Sequence, residues 1–369
     1  MVDKLIVKDF GPIRDAEMDI KKTTVLIGPQ GSGKSTLAKL VALSREKDWK
    51  DLISEKSMPV NFLDYGLLNY LKETSFYSFD AKYFTHEYQS KVTRRTPNEN
   101  YPTQKVLELI KSKEHNTYSE KVFELMDYVQ RPVYIPAERL LFALISQSFF
   151  SITINKIPLP ESITQFGAKF ENARQKLVEF KSIIQNVTYK FENGKDIVAV
   201  NEDVTLNLSE SASGFQALIP LQVVVEGLFD EKIQSFIIEE PELNLYPTTQ
   251  KSLIYYLADR CIKGENELMM TTHSPYVLAA LNNLIFAYKV AHEKPEKAAE
   301  VEKVIPKDSW LNPDEFAAYF VADGTVRSII NPKTGLISEN ELDGVSDEIG
   351  DEFNALVDIY RSKTNEAIH

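Results

Sequence analysis

Four short stretches hold residues whose types and spacing suit phosphate chemistry. The first is Gly28-Pro29-Gln30-Gly31-Ser32-Gly33-Lys34-Ser35-Thr36, which fits G-x-x-x-x-G-K-[S/T]. Its glycines let several backbone N–H groups reach phosphate oxygens without a Cβ clash. Lys34 supplies a charge for the β and γ phosphates, and Ser35 a hydroxyl for Mg²⁺. The pattern predicts binding of a nucleoside triphosphate.

The second stretch is Phe236-Ile237-Ile238-Glu239-Glu240-Pro241-Glu242. An apolar run ending in carboxylates describes a buried strand that delivers acids to the carboxyl edge of a sheet. Successive strand side chains point to opposite sides, so Glu239 and Glu240 face different tasks. One can hold Mg²⁺ and the other can polarise a water. The third stretch, Leu268-Met269-Met270-Thr271-Thr272-His273-Ser274-Pro275, is another short strand with polar groups at its end. A lone histidine is more often structural, but one ending a strand beside the first two can bond a γ-phosphate. The fourth and weakest is Ser209-Glu210-Ser211-Ala212-Ser213-Gly214-Phe215-Gln216, where Ser213 reads as the N-cap of an apolar helix with free N–H groups.

These groups need elements to hold them. Thr24-Val25-Leu26-Ile27 reads as a buried strand into the phosphate loop, and Leu37, Leu40 and Val41 as the start of the helix after it. Upstream, Leu5-Ile6-Val7 and Ala16–Ile20 read as strands joined through Phe10-Gly11-Pro12. Residues 46–130 are mixed, aromatic and charged, and read as an inserted lobe. Tyr134-Ile135 reads as a strand, and Pro136–Arg139 opens a helix to about Phe150. Phe166, Phe170, Ala173, Leu177, Phe180 and Ile184 form one helical stripe. Asn193-Gly194 and Asp323-Gly324 signal hairpins. Beyond Val277 the helical pattern fades, with strands expected at Leu284–Val290 and Glu300–Ile305. Ser346 is expected to cap a closing helix to about Lys363.

Composition bounds the rest. The 369 residues are 43% hydrophobic and 26% charged, as in globular proteins. No run approaches a membrane span, the N-terminus lacks a secretory pattern, and the single Cys261 excludes an internal disulfide. A cytoplasmic location without membrane contact is expected. The net charge of −12 disfavours general nucleic-acid binding, and the densest basic run, Lys91-Val92-Thr93-Arg94-Arg95, reads as a solvated loop. The five histidines show no metal-ligand spacing.

Taken in order, these motifs resemble the ABC-type ATPases, and among them the OLD-like group related to SMC proteins and RecF. Leu5–Ile13 looks like that group's first strand, Gly28–Thr36 its Walker A motif, and Tyr134–Arg139 a segment often found in it. Ala212–Gln216 aligns with the signature loop, with Phe215 where transporters have a glycine. Ile237–Glu242 resembles Walker B with the catalytic glutamate, and Thr271–Pro275 the histidine switch. Glu239 stands where transporters have aspartate, and Tyr246 where histidine is common in the group. The Q-loop glutamine falls among Gln89, Gln104 and Gln130.

The resemblance implies an α/β P-loop fold of ABC type, with an N-terminal antiparallel β subdomain, a mainly parallel core sheet flanked by helices, and a helical signature subdomain. The core would span 1–289, with the signature subdomain at 150–230 and a small α+β extension at 290–369. ATP and Mg²⁺ are the implied ligands. Gly28, Gln30, Gly31, Ser32, Gly33, Lys34, Ser35 and Thr36 would hold the nucleotide. Ser35 and Glu239 would hold the metal, Glu240 would activate water, His273 would sense the γ-phosphate, and Lys34 would serve catalysis. Ser213, Gly214 and Gln216 would act in trans, which implies an ATP-sandwiched homodimer or a higher oligomer. The D-x-D pair of the Toprim domain in OLD nucleases does not occur, so an ATPase controlling a separate effector is expected, in phage defence by association. A RecF-like DNA clamp is the alternative. A nucleotide-gated scaffold and a transporter subunit fit less well.

Overall fold

The computed structural model describes residues 2–45, 65–81, 84–89, 92–97, 131–145, 154–155, 159–201, 203–230, 233–338 and 340–361. Gln104, Gln130 and most of the 46–130 lobe lie outside them.

The chain opens with a hairpin of β1 (Asp3–Phe10) and β2 (Ile13–Ile20), closed where Phe10 pairs with Ile13. Next comes β3 (Thr23–Ile27), buried along its whole length, and then α1 (Lys34–Arg45). Strands β4 (Phe76–Asp80), β5 (Phe84–Gln89) and β6 (Val92–Pro97) follow, then β7 (Arg131–Ile135) and α2 (Arg139–Ile145). Helix α3 (Glu161–Lys176) leads into β8 (Glu179–Lys181), β9 (Thr188–Glu192), β10 (Lys195–Ala199) and β11 (Thr205–Asn207). Next are α4 (Ser213–Leu228), β12 (Gln234–Glu239), α5 (Pro247–Cys261) and β13 (Glu267–Thr272). The last elements are α6 (Pro275–Glu293), α7 (Ala298–Val304), β14 (Phe316–Ala322), β15 (Thr325–Ser328) and α8 (Asn340–Arg361).

Eleven strands form one sheet in the order β6-β5-β4-β1-β2-β15-β14-β3-β13-β12-β7. From β14 to β7 the five strands run parallel. The β14–β15 hairpin reverses direction and meets β2 through one pair, Thr325 with Asp15, beyond which the sheet is antiparallel. A buried parallel strand should be apolar on both faces, and β3, β12 and β13 are. Val25, Ile27, Phe236, Ile238, Leu268 and Met270 pack on one side, in the core that includes α4, α5 and α6. Leu26, Ile237 and Met269 pack on the other, with α1, β1 and β2. The expected α/β P-loop architecture is therefore present, with the N-terminal antiparallel part continuous with the parallel core.

Several local expectations need correction. Residues Leu284–Val290 lie within α6, and most of Glu300–Ile305 lies in α7, so both expected strands are helical. The stripe through Phe166, Phe170 and Ala173 is helical, but the chain leaves α3 before Phe180, which sits in β8. The expected helical subdomain at 150–230 also holds a second sheet, β11-β10-β9-β8. The closing helix starts at Asn340, upstream of Ser346. Residues 92–95 of the basic run lie in the edge strand β6 rather than in a loop, and Lys91 lies outside the described residues. Within the expected 290–369 extension, β14 pairs directly with β3. Both hairpins signalled by Asn-Gly and Asp-Gly form.

Candidate active site

Parallel pairing sets the site's geometry. Thr272 pairs with Ile27 and Glu239 with Thr271, so β3, β13 and β12 end side by side at one carboxyl edge. The phosphate loop leaves β3 there and enters α1, whose N-terminus points its amide dipoles back at the loop. The loop needs its glycines. A Cβ on Gly33, at φ +105°, would come within 2.4 Å of Ile13 Cδ1. A Cβ on Gly28 would come within 2.1 Å of the Val321 carbonyl on β14.

Lys34 is buried, and its Nζ donates to the Gly28 and Pro29 carbonyls, both at 2.8 Å. Burial lowers the lysine's pKa, against the opposing field of Glu240, Glu242 and Glu239. Ser32 Oγ is buried inside the loop without a hydrogen-bond partner. Gln30 and Gly31 are exposed at the loop's tip, while Thr36 is buried in α1.

The adjacent glutamates occupy opposite environments. Glu239 is 2% exposed, and its Oε1 lacks a hydrogen-bond partner. Burial pushes its carboxyl above the ordinary range, against the pull of Lys39 and of the Tyr134 and Ser35 hydroxyls. Tyr134 is driven well up in turn, by burial and then by the charge of Glu239. A buried, under-bonded carboxylate beside the Ser35 hydroxyl is an oxygen donor pair that suits a hard divalent cation. The donor set therefore fits Mg²⁺.

Glu240 has left the strand. Its φ is +42°, and its amide donates to the Thr271 carbonyl at 3.0 Å. Its Oε1 lies 3.2 Å from His273 Nε2, with the two side chains 32% and 30% exposed. Glu242 holds the other end of this arrangement. Its Oε1 accepts from Thr272 Oγ1 at 2.7 Å and from the His273 amide at 2.9 Å. Ser274 donates its Oγ to Gln250 Oε1 at 2.6 Å, fixing the next turn.

The signature segment stands apart. Among the described residues, no hydrogen bond or ion pair joins Ser213, Gly214 or Gln216 to the phosphate loop. Ala212, extended at φ −60° and ψ 146°, takes the cap position expected of Ser213, which begins α4. Gly214 abuts the Asn244 carbonyl, 3.0 Å from where a Cβ would lie. Gln216 Nε2 donates to the Ser209 and Ser211 carbonyls at 3.0 and 2.8 Å, so its amide nitrogen braces its own loop. Tyr246 is exposed at the start of α5, and Gln89 ends β5.

Sequence reasoning assigned no role to Tyr134, Arg139 or Glu242. Each was visible only as part of a quoted motif, because its partners lie elsewhere in the chain.

A β-strand, glycine-rich loop and helix, joined at a sheet edge to two acid- and histidine-bearing strand ends, define a P-loop nucleotide-binding protein. The chain belongs to the AAA ATPase domain family, whose profile matches residues 1–124 and 65–278. It is 22% identical over 324 residues to an OLD nuclease of Thermus scotoductus, a match covering 74% of this chain. The chain spans 59% of that relative's length. Among solved structures it resembles the SMC head domain from Thermotoga maritima, at 12% identity and TM-score 0.39, covering 89% of this chain and 98% of that one. It also resembles an Smc head bound to the C-terminal domain of ScpA, derived from Pyrococcus furiosus, at 13% identity and TM-score 0.42, covering 95% and 99%. A structure of the recombination mediator RecF matches at 8% identity and TM-score 0.39, covering 89% and 98%.

Proposed function

We propose that this protein hydrolyses ATP with Mg²⁺, assembles as an ATP-sandwiched homodimer, and through that cycle controls a partner effector. The observation that carries the catalytic part is the 3.2 Å pairing of Glu240 and His273 at the ends of adjacent strands. A general base must be exposed enough to meet a water and fixed enough to aim at it. Glu240 satisfies both conditions.

In this reading the loop amides and Lys34 hold the phosphates, and Lys34 exchanges its two carbonyl partners for phosphate oxygens. Ser35 and Glu239 hold the cation. Mg²⁺ bound there would supply positive charge against the phosphates. Glu240 takes a proton from the attacking water as the bond between the γ phosphorus and the β–γ bridging oxygen breaks. His273 holds Glu240 in place and meets the γ-phosphate oxygens, while Glu242 holds His273 through its amide.

Ser213 and Gly214 of one subunit would complete the other subunit's site. This would explain why neither bonds its own phosphate loop, and it makes hydrolysis depend on assembly. The effector and the role in phage defence rest on the resemblance to stand-alone members of the group. A RecF-like clamp would need a basic dimer surface, and the net charge of −12 weighs against it. A gel shift at two salt concentrations separates the two readings.

The test is the sedimentation mass and ATPase rate of wild type and Glu240→Gln, with and without ATP–Mg²⁺. The variant should bind ATP, lose about 10²–10⁴-fold in turnover, and accumulate as a dimer or larger assembly. Normal turnover with a mass that ignores ATP would sink both the base assignment and the trans signature loop.

A further inference from the structure

We propose that Arg139 is a positioning residue that ties the start of α4 to the loop carrying Glu240, so that docking of α4 on a second subunit's nucleotide sets the catalytic carboxylate. The proposal rests on the assembly reading above and adds how assembly would reach the chemistry.

Arg139 is fully buried at the first position of α2. Among the described residues no carboxylate lies within ion-pair distance of it. All five of its N–H groups instead reach backbone carbonyls. Nε donates to Ala217 at 2.9 Å, in the second turn of α4. One terminal nitrogen donates to Pro136 at 3.1 Å and to Glu239 at 2.8 Å. The other donates to Glu240 at 2.8 Å and to Pro241 at 3.2 Å. Burial lowers its pKa to about 10, and the field of Glu242, Glu240 and Glu239 offsets part of that cost.

A buried cation is expensive, and packing alone would be served as well by an apolar side chain. What the guanidinium adds is geometry, because a planar fork of five donors fixes the carbonyls it touches relative to one another. Three of those carbonyls belong to residues 239, 240 and 241. The Glu240 peptide is thereby held from two sides, its amide by Thr271 on β13 and its carbonyl by Arg139. The fifth bond runs to α4, whose tip also abuts Asn244 of the same loop through Gly214. The N-terminus of α4 and the Glu240 loop are thus joined at two points. A shift of one is passed to the other.

The test uses full-length protein. Wild-type turnover per subunit should rise with protein concentration across the range in which ATP–Mg²⁺ drives assembly. Arg139→Lys keeps the charge but has three donors on a flexible stem. It should bind a fluorescent ATP analogue within about threefold of wild type and assemble over the same range. It should nevertheless lose about 10²-fold in turnover, the cost expected for a group misplaced by about 1 Å, with no rise on assembly. Turnover within threefold of wild type overturns the proposal. So does a loss of turnover in step with nucleotide affinity and melting temperature, which would mark a purely structural arginine.

A second measurement does not depend on the variant's folding. In wild type, hydrogen exchange should show residues 213–217 and 240–243 gaining protection together on assembly. Protection confined to 213–217 overturns the proposal. If wild type never assembles with ATP, the dimer reading fails and Arg139 is judged by kinetics alone. A fall in kcat at constant KM then supports its positioning of Glu240, and a joint loss rejects it.

Discussion

At the scale of single residues, two identical side chains one position apart are given different chemistry by their surroundings. Glu239 stays in the strand and faces α1, where burial raises its pKa, while Glu240 turns out of the strand toward His273. A carboxyl raised in the native state binds its proton more tightly there than in the unfolded chain. Its contribution to stability is therefore full below the ordinary value of 4.5 and is lost as pH rises through the native value. Glu239→Gln cannot titrate. Without Mg²⁺, its melting temperature should gain on wild type as pH goes from 5 to 8. Adding Mg²⁺ and ATP should reverse the ranking, since wild type alone keeps the carboxylate that would hold the cation. Thermal melts with and without ligand check both signs. His273→Ala should cut turnover by about 10²-fold while ATP binding survives, as titration with a fluorescent analogue would show. The motif residues were legible because phosphate chemistry restricts which side chains can serve. Tyr134, Arg139 and Glu242 were not, because backbone carbonyls and amides distant in sequence define their tasks.

At the scale of elements, the position of α1 depends on its far end. Arg45 closes the helix, fully buried, and pairs with Asp3 of β1 at 2.9 Å and Glu267 of β13 at 2.6 Å. It also bonds Ser235 of β12. The helix behind the phosphate loop is thus pinned to three strands. Removing one partner of a buried ion pair typically costs about 3–5 kcal/mol, and Arg45→Met should lose that much in urea unfolding. The expected strands at 284–290 and 300–305 failed for a related reason. Short apolar runs do not separate a strand from a buried helix, and α6 has neither glycine nor proline between its first residue and Glu293. Its apolar residues lie in the core against α5, which no local pattern revealed. Hairpins, by contrast, were legible because Asn193 and Asp323 take positive φ ahead of a glycine.

At the scale of the whole molecule, the phosphate loop is shared between the ends of the chain. Strand β14 lies against β3, and its Val321 carbonyl fills the space where a side chain on residue 28 would go. Gly28→Ala should therefore force β14 away and abolish ATP binding, with a lowered melting temperature measured by calorimetry. Deleting 313–331 should abolish ATP binding as well, although every motif lies upstream of it. Composition and motif order revealed the fold class. They could not reveal this adjacency, since strand order is decided by which edges remain to be covered.

That adjacency has a consequence for how the protein is made. Between the synthesis of β3 and that of β14 the ribosome adds nearly three hundred residues, roughly 15–60 s at about 5–20 residues/s. Throughout that interval one edge of a strand that is wholly buried in the finished fold has no neighbour, the condition that invites pairing with other chains. The loop that names the protein's chemistry is among the first segments to emerge and among the last to be completed. Nucleotide binding would thus report that a nascent chain has been read through to its closing hairpin.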